Sequence, residues 1–95
     1  MFRFKNGVRV GYNRQGYIYF KSRLFKELPP SERKKIIDIC KVCGGEYHRA
    51  LLEFVTTDAT ATAICMKHYC SEATLYRVVR KYYETFNKTI QDDSS

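Results

Sequence analysis

Ninety-five residues, 44% of them hydrophobic, limit this chain to one small domain over residues 1–95, with enough apolar side chain for one compact core. No apolar run approaches the ~20 residues of a bilayer-crossing helix, and the opening MFRFKNGVRV lacks the apolar stretch of a signal peptide, so a cytoplasmic protein with no membrane partner is expected. The net charge is +7, and seven Lys/Arg against one acid in residues 1–30 concentrate it near the N-terminus, which favours a polyanion such as nucleic acid as partner.

Residues 2–21 read as a basic β-hairpin or three-stranded meander. Phe2, Phe4, Val8, Val10, Tyr12, Tyr17, Ile18, Tyr19 and Phe20 are strand formers. Asn6-Gly7 is a two-residue turn signal, and Asn13-Arg14-Gln15-Gly16 reads as a second, longer turn. Such a meander is not stable alone and must lean on helices.

The helices begin after Leu28-Pro29-Pro30-Ser31, where the prolines suit a helix start. From Ser31 to about Cys43, Ile36, Ile37, Ile39, Cys40 and Cys43 form an apolar side, and Gly44-Gly45 supplies a left-handed stop. From Glu46 to Thr56, Tyr47, Ala50, Leu51, Phe54 and Val55 fall at i, i+3, i+4, i+7 and i+8, one helical stripe. Thr57 or Asp58 is the expected cap of a helix over Ala59–Tyr69, and Ser71 caps a last helix running to about Asn87. Leu75, Val78, Val79, Tyr82 and Phe86 are its core stripe, Tyr83 is placed on its surface, and residues 88–95 are expected to form a flexible tail. The expected class is mainly α: a bundle of about four helices over residues 31–87, with a helix-turn-helix at 60–87 and an N-terminal β segment.

Residues 61–80, ATAICMKHYCSEATLYRVVR, carry the functional reading. Two short helices broken at Tyr69-Cys70-Ser71 have the spacing of a helix-turn-helix whose second helix enters the DNA major groove. Cys65 is the small residue expected where the helices cross, while Ile64, Cys70, Leu75 and Val78 face inward. Glu72, Ala73, Tyr76, Arg77 and Arg80 are then free to reach bases. An arginine forked onto guanine is worth ~1–3 kcal/mol of discrimination. Thr60, Thr62 and Lys67 are expected on phosphates, with Ser71, Thr74 and Lys81 completing the DNA-facing set. Arg9, Arg14 and Arg23 are candidate wing contacts from the basic β segment.

The stretch from Leu28 to Phe86 resembles small helix-turn-helix proteins encoded by bacterial phages and integrative elements. Some of these resemble phage late-gene regulators, and the DNA-reading part is similar to region 4 of sigma factors. The most specific parts are Leu51–Asp58 (LLEFVTTD) and Cys65–Tyr83. The resemblance implies sequence-specific duplex binding in transcription control. It does not extend to residues 1–27, and it departs from the common pattern where Tyr69 stands in place of a turn glycine.

Four cysteines admit a zinc set of Cys40, Cys43, Cys65 and Cys70, but both pairs also fit apolar positions as reduced, buried thiols. His68 is expected to face inward and His48 to sit on a polar face. No paired carboxylates or glycine-rich phosphate loop is present, so neither enzyme activity nor a cofactor is expected. Expected partners are double-stranded DNA, with a homodimer partner or RNA polymerase as candidates. The alternatives are a protein-interaction module that keeps the same helices and a zinc-stabilised RNA binder with stacking aromatics.

Overall fold

A computed structural model describes residues 10–93, with side chains as far as Ile90. Five α-helices follow one another among these residues: α1 (Tyr12–Arg23), α2 (Pro30–Gly44), α3 (His48–Thr56), α4 (Ala61–His68) and α5 (Glu72–Asp93). Single 3₁₀ turns at Phe25–Glu27 and Gly45–Tyr47 bridge α1 to α2 and α2 to α3. No strand occurs among the described residues. The mainly helical class read from the sequence therefore holds.

The four helices expected after Pro29 all form, the first three within two residues of their expected bounds and the last running longer. Pro30 takes the first helical position of α2, where a missing N–H costs nothing. Gly45 has φ +55° with ψ −123°, a positive-φ backbone that favours glycine but not the left-handed helical cap expected there. Gly44 is closely covered by α3: a Cβ there would meet His48 Cβ and Leu51 Cδ2 at 3.4 Å, van der Waals contact. The cap of α4 is Thr60, whose hydroxyl accepts from Ala63 N at 3.1 Å, rather than Thr57 or Asp58. Thr57 is occupied closing α3, donating its hydroxyl to Glu53 O at 2.6 Å.

The β expectation for residues 2–21 is corrected where it can be followed. Tyr12–Arg23 is a helix, and residues 2–9 lie outside the described residues. Strand-forming aromatics misled the reading, because the buried stripe of α1 is partly polar. Gln15, Ile18 and Ser22 are its buried residues, at i, i+3 and i+7. Gln15 Nε2 donates to Val10 O at 3.0 Å. Ser22 Oγ donates to Ile18 O at 2.7 Å and lies 2.6 Å from the hydroxyl of Tyr82, sixty residues on. These bonds offset the cost of burying polar groups, so tertiary contact overrides strand propensity. The C-terminal boundary also moves: α5 continues past Asn87 to Asp93, where a tail from residue 88 was expected.

Helices α3 and α5 each touch all the other helices, so the core lies around them. Ile18, Leu51, Ile64, Leu75 and Tyr82 are fully buried there. Tyr83, expected on the surface, is buried as well, 3% exposed. Both tyrosine hydroxyls are held protonated well above their usual range, chiefly by burial.

Candidate nucleic-acid interface

The turn between α4 and α5 sets the geometry of the candidate site. Tyr69 adopts a left-handed backbone, φ 56° and ψ 48°. Its N–H and that of Cys70 (3.2 Å) both bond Cys65 O, closing the end of α4. Two residues later Ser71 caps α5, its Oγ accepting from Thr74 N at 3.1 Å and donating to Thr74 Oγ1 at 2.9 Å. The expected cap is therefore formed, and Ser71 and Thr74 spend their hydroxyls on each other.

From that start α5 divides into two faces. Leu75, Val78, Val79, Tyr82, Tyr83 and Phe86 are buried. Glu72, Ala73, Tyr76, Arg77, Arg80 and Lys81 are exposed along the opposite side. The buried face fixes the rotation of the helix, so the outward strip cannot roll inward without emptying the core. No ion pair among the described residues holds Arg77 or Arg80. Tyr76 is 47% exposed and meets Phe54 edge-to-face at 6.4 Å between ring centroids.

The remaining expected contacts fall into separate groups. Thr60 and Thr62 are exposed at the start of α4, and Thr62 Oγ1 reaches toward Glu72 Oε1 at 3.5 Å. Lys67 is exposed but paired with Glu53 Oε1 at 2.9 Å, and His68 Nε2 lies 3.3 Å from the same oxygen. The Lys67 hydrogen bond, with a smaller pull from His68, holds the Glu53 carboxyl below the usual range against the opposing effect of partial burial. His68 faces inward only part way, and His48 Nδ1 sits 2.8 Å from Gly45 O.

The two described candidate wing residues, Arg14 and Arg23, lie on α1 rather than on a β segment. Arg9 lies outside the described residues. Arg14 is on α1, half-buried, with Nη1 lacking a hydrogen-bond partner among the described residues. Arg23 is half-buried and already engaged: it bonds Thr57 O, pairs with the exposed Asp58 and stacks over the Tyr19 ring at 5.1 Å. It thereby ties α1 to the α3–α4 connection, beside a half-open cavity of ≈250 Å³ bordered by Phe54 and Tyr83. Sequence reasoning missed Glu53 and Phe54 as supports of the site. Both sit on α3, and only the three-dimensional approach of α3 to α4 and α5 reveals them.

The four cysteines of the zinc alternative lie on different elements. Cys40 and Cys43 are buried on α2, with the Cys40 thiol pushed up to about 12 by burial and, less, by Cys43. Cys65 and Cys70 lie at the α4–α5 turn with sulfurs 3.9 Å apart. No three His, Cys, Asp or Glu side chains converge on one point among the described residues. Nor is any helix there long and apolar enough to cross a membrane.

Comparison with protein-family models, curated proteins and solved structures finds no match to this chain.

Proposed function

We propose that this chain is a sequence-specific duplex-DNA-binding transcription regulator of phage or mobile-element type. Helix α5 enters the major groove while Thr60 and Thr62 at the start of α4 hold phosphates. The carrying observation is the capped turn that sets α5 with Ala73, Tyr76, Arg77 and Arg80 outward and six core residues inward. In this reading Arg77 and Arg80 fork onto guanine or phosphate, Ala73 meets a thymine methyl, and Glu72 accepts from cytosine. Lys81 lies further along the helix, toward the backbone. One such helix covers a short site, so a second copy or RNA polymerase completes the assembly.

The test is fluorescence anisotropy with a pool of random duplexes from low to moderate salt, comparing wild type with Arg77→Ala/Arg80→Ala. Wild-type binding should fall steeply with salt, and the double variant should lose at least ~10-fold affinity with a shallower salt slope. Equal binding by both proteins refutes the assignment of α5. A second reading, a protein-interaction module, is favoured by one observation. Tyr17 and Phe20 on α1 and Leu24 at its C-terminal cap stand about half exposed, at 48%, 56% and 49%. Salt-insensitive binding to a protein, with no duplex affinity, would select that reading.

A further inference from the structure

We propose that Cys65 and Cys70 form a modification site, at which a small peroxide converts the two thiols into a reversible disulfide across the α4–α5 turn. Their sulfurs already lie 3.9 Å apart, and both residues are half-buried, so a small oxidant can reach them. The backbone keeps them together. Cys65 is the last-turn residue of α4 whose carbonyl accepts from both Tyr69 N–H and Cys70 N–H, and Cys70 directly follows the left-handed Tyr69. This type of helix end usually brings two apolar side chains into contact at these positions, and here the pair is two thiols. Cys40 and Cys43 are an internal comparison. They are 1% and 8% exposed, and burial raises both thiols.

The chemistry balances with the peroxide as sole oxidant. At a separation of 3.9 Å either thiol can attack first and be resolved by the other; Cys70 is taken as the one that attacks. Its thiolate attacks one peroxide oxygen, the O–O bond breaks, and the other oxygen leaves as hydroxide and is protonated to water. Cys65 Sγ then attacks the Cys70 sulfenic sulfur. The S–O bond breaks, and the departing hydroxide takes the Cys65 proton as a second water. Two thiols have lost two electrons and two protons, and one peroxide has become two waters. Bond formation brings the sulfurs from 3.9 Å to about 2.05 Å. Ser71 and Glu72 follow Cys70 directly, so the start of α5 shifts with that closure. An effect on duplex binding rests on the DNA reading above; the disulfide does not.

The experiment treats the full chain with hydrogen peroxide, blocks remaining thiols with iodoacetamide without reduction, digests with trypsin and measures peptide masses. Cleavage after Arg49, Lys67 and Arg77 puts Cys65 and Cys70 on separate peptides, 50–67 and 68–77. These should remain joined after peroxide, two hydrogens lighter than their sum, and separate on adding dithiothreitol. In Cys70→Ser and in Cys65→Ala no such link should form. A link through Cys40 or Cys43, or separate peptides carrying sulfinic acid at Cys65 or Cys70, overturns the site. Anisotropy on random duplexes then reads the consequence. Oxidation should change wild-type affinity at least about 5-fold and leave Cys70→Ser unmoved. A linked protein with unchanged affinity overturns the regulatory role, whereas reduced protein without any affinity overturns the DNA reading alone.

Discussion

Replacing Ser22 with Ala tests the placement of α1 more sharply than any spectroscopic measure of helix content. Ser22 has one hydroxyl proton, and its geometry assigns that proton to Ile18 O at 2.7 Å. The Tyr82 hydroxyl, 2.6 Å away, is therefore the donor of the second bond. Tyr82 is fully buried, so Ser22→Ala strands its O–H away from water, which costs about 1–3 kcal/mol. Tyr82→Phe removes the same bond but leaves Ser22 satisfied by Ile18, and costs less, about 0.5–1.5 kcal/mol. In the double variant no donor is stranded, so its loss should fall short of the sum of the two single losses by ~1 kcal/mol. Urea unfolding followed by far-UV circular dichroism measures all four proteins, with slopes checked for constancy so that midpoints convert to free energy. Effects that add to within ~0.3–0.5 kcal/mol would mean that the two side chains do not meet. The packing of α1 on α5 would then be wrong, and with it the correction of the expected β segment.

Two further outcomes follow from the turn and its supports. Tyr69 holds a left-handed backbone while 93% exposed, so Tyr69→Gly loses almost no burial and relieves a penalty of ~1–2 kcal/mol, partly offset by glycine's entropy of ~0.5–1 kcal/mol. The melting temperature should rise by about 2–8 °C, while Tyr69→Ala should stay close to wild type; equal melting of the two variants would reject the strain argument. The lowered Glu53 carboxyl contributes stability above its unfolded value near 4.5, and that contribution is lost as pH falls through the lower folded value. Melting curves between about pH 5 and pH 3 should therefore fall more gently for Glu53→Gln than for wild type, and parallel curves would show that the Lys67–Glu53 pair is not formed in solution.

How far the sequence discloses this fold depends on which signal each element carries. The stripe in α3 is apolar throughout, and periodicity alone finds it. Capping chemistry marks Ser71, and paired glycines mark the end of α2. Helix α1 defeats the same procedure because two of its three buried residues are Gln15 and Ser22, whose burial makes sense only beside Val10 O and Tyr82. Its aromatics Tyr12, Tyr17 and Phe20 are largely exposed, so the residues that suggested strands are not the ones that place the segment. Tyr83 fails for a related reason. A helix touched by every other helix has a buried face wider than a single stripe, and a residue at its margin is covered by neighbours that a linear pattern does not show.

The candidate site was more legible in its spacing than in its charge. Counted along the chain, the first 30 residues carry most of the net positive charge. Counted in space, part of that charge is already answered. Arg23 pairs with Asp58, and Lys21 lies 3.0 Å from Glu32 across the α1–α2 contact. An ion pair presents little net field to a distant polyanion, so these cations do more to join helices than to attract DNA. Arg77 and Arg80 add little to the linear tally, yet they stand on one exposed face with no ion pair among the described residues. Cations without an ion pair among the described residues, suited to a polyanion, therefore stand together on α5. There the charge is carried by arginines, whose planar forks suit guanine edges and phosphates, on a helix whose rotation the core has already fixed.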